Sequence, residues 1–325
     1  MMSILVTGGA GYIGCHTVRE LARSGYHPIS LDNLSEGHRE AVLEGDLATG
    51  ELSDETLLES IFQDQPVDAV MHFASRCYVR ESMGNPRLYY EQNVGNALVL
   101  LRVMLSHGVK KFILSSTCAT YGNPERVPID ETHPQNPINP YGETKFFIER
   151  MLKQYDRAYG LRSVSLRYFN AAGASLDAQL GESHHPETHL IPRILKVAKG
   201  ELEKLQIFGD DYPTHDGSCI RDYIHVLDLA SAHIAAYRWL SEGQGSEVFN
   251  LGTGQGHSVK QVVTAAGQIT EQEIPVEVSP GRAGDPPQLV ANPRKANQLL
   301  GWWPKYSDLE TMISTAWAWE QKRRY

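Results

Sequence analysis

Little in this sequence of 325 residues points to a polyanion partner, a metal framework or a membrane. Acidic residues outnumber basic ones by 39 to 30, a formal charge of −9. That balance is a poor footprint for a nucleic-acid binder, though it leaves room for a local basic pocket holding one small anion. The four cysteines, Cys15, Cys77, Cys118 and Cys219, lie far apart with no C-x-x-C pair. Neither a zinc framework nor a disulfide scaffold is signalled. No apolar run approaches the ~18 residues of a membrane span. Residues 1–7 read as a strand rather than as a leader with a basic start and a long apolar stretch. Hydrophobic residues at 41% and charged ones at 21% exclude disorder, collagen and coiled coil. The expectation is a cytoplasmic enzyme of about two domains, with no nucleic-acid or membrane partner.

What the sequence does have is alternation. Residues 3–7 form a short β-rich apolar run, followed by a glycine cluster and by residues 13–24, with apolar Ile13, Val18 and Leu21 and a closing Gly25. That order reads as strand, tight turn, helix and glycine stop. Further buried strands are expected at 27–31, 69–73, 111–114 and 164–168, with helices at 87–107 and 140–159 between them. Alternation of this kind predicts an α/β fold built on a doubly wound parallel sheet covered on both faces. Around residue 171 histidine, glycine and proline become frequent, and we place the change of domain there. Residues 248–252 look like a strand returning to the first sheet.

The segment Thr7-Gly8-Gly9-Ala10-Gly11-Tyr12-Ile13-Gly14 sits between the first strand and the first helix. It contains G-x-G-x-x-G at Gly9, Gly11 and Gly14. Glycine allows the tight turn, the approach of backbone to a pyrophosphate, and close contact of helix and strand. The helix N-terminus then attracts the anion. Asp32, at the end of the second strand, is suited to accept hydrogen bonds from adenosine ribose hydroxyls. Its charge favours NAD over NADP, whose 2′-phosphate it would repel.

A second constellation opens a helix. Asn139 is a plausible N-cap, Pro140 occupies the first turn, and Tyr141 and Lys145 follow at i and i+4 on one face. An ammonium beside a phenol favours the phenolate, so Lys145 is expected to lower the Tyr141 pKa. A tyrosine so tuned can exchange protons with a sugar hydroxyl. Ser115-Ser116-Thr117 follows a buried strand, where a hydroxyl can orient the same substrate oxygen.

Through these motifs and others, the sequence resembles the extended short-chain dehydrogenase/reductase family nearly end to end. The match runs through TGGAGYIG (7–14), Asp32-Asn33, Gly45-Asp46-Leu47, His72-Phe73-Ala74, Asn93, SSTCATYG (115–122), PYGETK (140–145), RYFNAAGA (167–174), RDYIHVLDLA (221–230) and FNLGTG (249–254). Within that family it is similar to the UDP-glucose 4-epimerase branch. The resemblance implies a Rossmann NAD domain over residues 1–170, with 218–254 returning to it, and a smaller mixed α/β UDP-sugar domain over 171–325. It implies tightly bound NAD, oxidation of the sugar at C4′, rotation of a 4-keto intermediate, and return of the hydride to its other face. Tyr141 would be the acid/base, Lys145 would tune it and hold the nicotinamide ribose, and Thr117 would bond O4′. For the cofactor the resemblance implies Gly8, Gly11, Tyr12, Ile13, Gly14, Asp32, Asn33, Asp46, Leu47, Phe73, Ala74, Asn93, Ser115 and Tyr168, besides Tyr141 and Lys145. For UDP-glucose or UDP-galactose it implies Asn170, His189, Leu190, Leu205 to Phe208, Arg221, Tyr223, Arg282 and Asp285. A homodimer joined through helices such as 87–107 is also implied.

Some positions depart from the family pattern. Arg80 stands where glycine is frequent, and Ser75 where Ala or Gly is usual. Leu289 falls at a position that shapes the sugar pocket and is intermediate in size, leaving N-acetylhexosamine substrates open. Cys77 and Cys118 read as core or pocket-lining residues. His184, His185 and His189 read as hydrogen-bonding residues, and no metal is expected. Two other functions compete. A nucleotide-sugar 4,6-dehydratase would need an Asp-Glu pair after the strand-end threonine, where Cys118-Ala119 stand instead. A non-catalytic NAD sensor would commonly have lost the tyrosine or the lysine, and both are present.

Overall fold

Every residue of the first strand, β1 (Ser3–Thr7), is buried, as a strand covered on both faces requires. The structure, a computed structural model, describes residues 2–281 and 285–325. After β1 come β2 (His27–Asp32), β3 (Asp46–Thr49), β4 (Val67–His72), β5 (Lys111–Thr117) and β6 (Arg162–Tyr168). Then follow β7 (Asn170–Ala172), β8 (Leu205–Phe208), β9 (Ile220–His225), β10 (Glu247–Leu251), β11 (Gly256–Ser258), β12 (Val276–Ser279) and β13 (Gln288–Leu289).

Seven strands form one parallel sheet in the order β10-β6-β5-β4-β1-β2-β3. The chain winds outward from β1 to β3, then returns to place β4, β5 and β6 on the other side. That reversal opens a crevice at the carboxyl ends of β1 and β4, the usual place for a ligand in such a sheet. Successive residues of β1 serve opposite faces. Ile4 and Val6 join one core cluster with Val18, Met71, Ile113 and Phe249, while Leu5 joins another with Ile29, Val70, Phe112 and Ile148. The α/β doubly wound arrangement expected from the alternation is the one observed.

The helix expected at 87–107 is interrupted. Helices Pro86–Tyr89 and Asn96–Ser106 are joined by a widened turn at Tyr90–Gly95. Widened turns of this type occur often at functional sites, and this one carries the buried Asn93. In the remaining part of the chain, β9 pairs in parallel with β7 and β13 and antiparallel with β11, while β8 and β12 form a separate parallel pair. A third core cluster lies here, including Ile191, Leu195, Leu205, Ile207 and Tyr223. No described helix is long and apolar enough to cross a membrane.

Candidate active site

The glycine-rich turn folds back on itself at the carboxyl end of β1. Gly8 has φ +75°, and a Cβ there would meet the Ala74 backbone nitrogen at 2.6 Å. A Cβ on Gly14 would meet the Gly8 carbonyl at 2.0 Å, so these positions have no room for a side chain. Gly11 differs: its added Cβ would meet just the Gly8 carbonyl, at 3.4 Å, and otherwise faces open space. The helix Tyr12–Arg23 begins there with no side chain capping its amides, which leaves N–H groups for an incoming anion. Asp32 is buried beside the turn, with Oδ2 accepting from Ala10 N at 3.0 Å and Oδ1 from Leu34 N at 2.9 Å. Burial raises its carboxyl above the usual range. Across the crevice Phe73 N and Ala74 N donate to the Thr7 carbonyl at 2.8 and 2.9 Å. Ile13 packs on the first core cluster, and Tyr12 Oη donates to Gly173 O at 2.6 Å. These residues fit an adenine dinucleotide, with pyrophosphate over the turn and ribose at Asp32.

Two expected cofactor contacts, Asp46 and Leu47, lie away from the crevice. They pair with Ile29 and Ser30, three and two residues before Asp32 on β2, and Asp46 Oδ2 bonds His27 Nε2 at 2.9 Å. The residues beside Asp32-Asn33 are instead Gly50 and Glu51. Gly50 N donates to Asp32 O at 3.0 Å, and Asn33 Nδ2 donates to Glu51 Oε1 at 3.0 Å. The sequence holds two Gly-acid-Leu triplets, at 45–47 and 50–52, and the register of β3 puts the second at the crevice. The cue for it was Asp54, which caps the next helix through Leu57 N. Asn93 lies buried in the widened turn. Its amide donates to Arg76 O and Thr144 Oγ1, both at 3.0 Å, and accepts from Arg76 N at 2.8 Å. It ties the 73–76 loop to the next helix, so its side chain is engaged within the protein.

The proton-handling residues converge from β5 and the helix Pro140–Tyr159. That helix starts where expected: Asn139 Oδ1 accepts from Gly142 N at 2.8 Å, Pro140 is in the first turn, and Gly160 ends it at φ 67°. A Cβ on Gly142 would meet the Ala119 carbonyl at 2.5 Å, so this glycine lets the helix start close upon the residues after Thr117. Tyr141 is half-buried as a residue, its phenol turned inward beside the Thr117 side chain. Lys145 is 2% exposed, and its Nζ donates to Ser75 Oγ at 2.7 Å and to Ser115 O at 2.8 Å. Ser115 Oγ bonds the Tyr168 hydroxyl. Ser75, a departure from the family pattern, is thus a partner of the lysine that Ala or Gly could not be.

The lowering of the Tyr141 pKa expected from Lys145 is not what the geometry produces. Burial pushes the phenol well above its ordinary value, Cys77, Tyr168 and Cys118 add to that, and the neighbouring Thr117 hydroxyl opposes them. Lys145, held by Ser75 and Ser115, is itself pushed down by burial to about 8. Behind both lies an ion pair that sequence reading missed. Glu149, one helical turn past Lys145, pairs with Arg167 of β6 at 2.5 Å, their side chains 7% and 5% exposed. Glu149 Oε1 also accepts from Ser116 Oγ at 2.5 Å. One carboxylate therefore fastens the helix bearing Tyr141 and Lys145 to two strands of the sheet.

The residues expected to hold UDP gather around β7, β8 and β9. Asn170 Nδ2 donates to Asp222 O at 2.9 Å. His189 and Leu190 stand at the start of the helix Leu190–Ala198, and Phe208 ends β8 half-buried. Tyr223 is buried in the third core cluster. Leu205 is a correction: its side chain is fully packed into that cluster and presents no contact surface. Arg221 Nη2 donates to Asp285 Oδ1 at 2.6 Å, so two residues expected to act separately are partners. Arg282 lies outside the described residues. The buried Asp222 was unforeseen; it accepts from Thr253 N, Thr253 Oγ1, Gly254 N and Ala291 N at 2.7 to 3.1 Å, and burial raises it to about 6. Leu289 packs against the cluster formed by Cys118, Tyr121, Ile129, Phe169 and Ala291, next to Thr117. His184 is raised to about 9: burial works against its charge, and the facing Glu182 and Glu187 outweigh it.

Comparison with known proteins follows the same lines. Residues 4–252 match the NAD dependent epimerase/dehydratase family. The UDP-glucose 4-epimerase of Halalkalibacterium halodurans is 52% identical over 321 residues, which is 99% of this chain and 96% of that protein. A crystal structure of UDP-glucose 4-epimerase from Brucella ovis in complex with NAD superposes with a TM-score of 0.96 at 50% identity, covering 98% of each chain. The enzyme of that name from Bifidobacterium longum, in complex with NAD+ and UDP, gives a TM-score of 0.94 at 39% identity, covering 99% of each chain.

Proposed function

The chain belongs to the NAD dependent epimerase/dehydratase family, and we propose that it interconverts UDP-galactose and UDP-glucose with NAD as its resident cofactor. The observation that carries the chemistry is the placement of the Tyr141 phenol beside the Thr117 side chain, at the strand end where Lys145 is anchored. NAD, when bound, supplies a hydride acceptor and a positive ring that favours a phenolate nearby. Tyr141 Oη takes the proton of the sugar C4′ hydroxyl as the C4′–H bond breaks, and Thr117 Oγ1 holds the same oxygen. The 4-keto sugar turns over in the pocket, and Tyr141 returns the proton to the hydroxyl re-formed with opposite configuration. Lys145, fixed by Ser75 and Ser115, holds the ribose next to the reacting carbon. Burial keeps the phenol neutral until that positive ring is beside it, so proton removal is tied to the loaded site.

Residues 1–170 and β10 serve the cofactor in this reading, and most of 171–325 serves UDP. Arg221 and His189 face the diphosphate and Asn170 and Phe208 line its approach, Arg221 sharing its fork with Asp285. A homodimer is supported by Leu98 and Phe147, exposed apolar residues on the helices Asn96–Ser106 and Pro140–Tyr159. The cytoplasm is the expected compartment. A second reading, turnover of N-acetylhexosamine nucleotides as well, is favoured by Leu289, which stops short of the bulk of an aromatic ring next to Cys118 and Phe169.

The test is release of bound nucleotide by denaturation, together with conversion of UDP-galactose and UDP-N-acetylgalactosamine without added cofactor. Tyr141→Phe is expected to keep its nucleotide and lose turnover by about 10²- to 10⁴-fold. Unchanged turnover in that variant, or a 4-keto-6-deoxy product from the wild type, overturns the proposal.

A further inference from the structure

One cluster lies beyond the proton-handling residues and shares with the expected UDP contacts only His189. In the loop before the helix Leu190–Ala198, Glu182, His184, Glu187 and His189 each bring one potential ligand atom to a place where all four lie within 4.8 Å of one another. His189 Nδ1 lies 2.7 Å from Glu182 Oε1 and 3.2 Å from Glu187 Oε1. His184 Nδ1 lies 3.2 Å from Glu182 Oε1 and 3.5 Å from Glu187 Oε2. The two carboxylates are 8% and 4% exposed. Placing two like charges so close, out of water, is costly unless positive charge stands between them.

Without a metal that charge comes from protonated imidazoles, yet the Nδ1 of His184, wholly buried, makes no hydrogen bond although two carboxylate oxygens are near. Four donors around a tetrahedral ion with bonds of about 2.0–2.2 Å are separated by roughly 3.3–3.6 Å, and three of the four nitrogen–oxygen separations here are 3.2 to 3.5 Å. Two imidazole nitrogens with two carboxylate oxygens suit a borderline transition metal and not an ion that wants oxygen alone. The donors are also held in place. Glu187 Oε1 accepts from Thr188 N and His189 N, both at 2.8 Å, and the edges of the Tyr12 and Tyr78 rings meet His184 at 6.5 and 6.0 Å between centroids.

We propose that Glu182, His184, Glu187 and His189 form a divalent transition-metal site, filled by Zn²⁺, that fixes this loop against the glycine-rich turn. The contact with Tyr12 makes the link, since Tyr12 opens the first helix. The site performs no step of the epimerisation, and its existence does not depend on the reading of Tyr141.

The experiment uses the full chain, free of any affinity tag and carrying whatever nucleotide it holds. Chelator-treated protein is dialysed against Zn²⁺ and its metal content measured, and Co²⁺ is added separately to read its visible absorption. One Zn²⁺ per chain and a Co²⁺ band of tetrahedral intensity are expected. Glu182→Gln and His184→Gln should each weaken Zn²⁺ binding at least about tenfold, while His185→Gln, an exposed position beside the cluster, should not change it. Retained nucleotide and an unchanged circular dichroism spectrum identify variants that have folded. Failure of the wild type to take up stoichiometric Zn²⁺, or His184→Gln binding it as the wild type does, overturns the proposal.

Discussion

Replacing Lys145 by methionine should make the protein more stable at neutral pH and less stable at high pH. Burial pushes this lysine from its ordinary 10.5 to about 8. At about 1.36 kcal/mol per pKa unit, that fall corresponds to about 3 kcal/mol charged against the folded state wherever the lysine is protonated in both states. Below about pH 8 the whole cost is present. Between about 8 and 10.5 the folded protein sheds the proton first, so the cost fades, and above that range it is gone. Methionine removes the charge, keeps a long unbranched chain, and abandons the bonds to Ser75 Oγ and Ser115 O. The loss of those bonds costs about 1–2 kcal/mol at any pH. The variant should therefore lead by about 1–2 kcal/mol at pH 7 and trail by a similar amount above pH 10.5, with turnover abolished throughout. Urea midpoints of both proteins, stripped of nucleotide and compared across that range, should cross. A variant weaker than the wild type at pH 7, or a gap that does not move with pH, would refute the reasoning.

Three further outcomes are expected. Gly14→Ala drives a Cβ into the Gly8 carbonyl 2.0 Å away, so the turn must open and the nucleotide released on denaturation should fall to a small fraction of the wild-type amount. Glu149→Gln leaves the Arg167 guanidinium buried without its charge partner; unfolding titrations should show a loss of about 3–5 kcal/mol. Arg19 grips Asp177 with two hydrogen bonds and holds its carboxyl well below the usual range. A depressed carboxyl stabilises above its unfolded pKa and loses that contribution as pH falls. With Asp177 41% exposed, Asp177→Asn should cost no more than about 1 kcal/mol at pH 7, and the gap in melting temperature should close in acid.

Local chemistry made the core of this site legible before any coordinates. Glycines at 8, 11 and 14, an aspartate ending the next strand, and the Asn139-Pro140 helix start each act within a few residues of themselves, and each is found where the pattern puts it. What misled was register and environment. Two Gly-acid-Leu triplets lie five residues apart, and pairing between β2 and β3, which no local rule fixes, decides which one meets the crevice. Tyr141 and Lys145 share a helix face as their spacing requires, yet the ammonium turns to Ser75 and Ser115, partners 70 and 30 residues away. Leu205 reads as a ligand contact by resemblance, but its strand packs that side chain inward. The 182–189 cluster is scattered over a loop with no helical or strand period, so nothing in the spacing announces that four side chains meet.

The outermost strand of the large sheet is made of residues 247–251, laid against β6 long after residues 162–168 have been synthesised. At typical rates of translation the exposed flank of β6 would wait roughly 5–15 s for its neighbour to emerge from the ribosome. During that interval Val164 and Leu166 sit in an open edge strand, a template for unwanted pairing with other nascent chains. The same delay reaches the reaction centre, because Asn250 on the late strand accepts the Tyr121 hydroxyl at 2.7 Å, four residues past Thr117. A fragment ending at residue 170 would carry every glycine of the turn and both Tyr141 and Lys145, and would still lack the strand that closes its sheet.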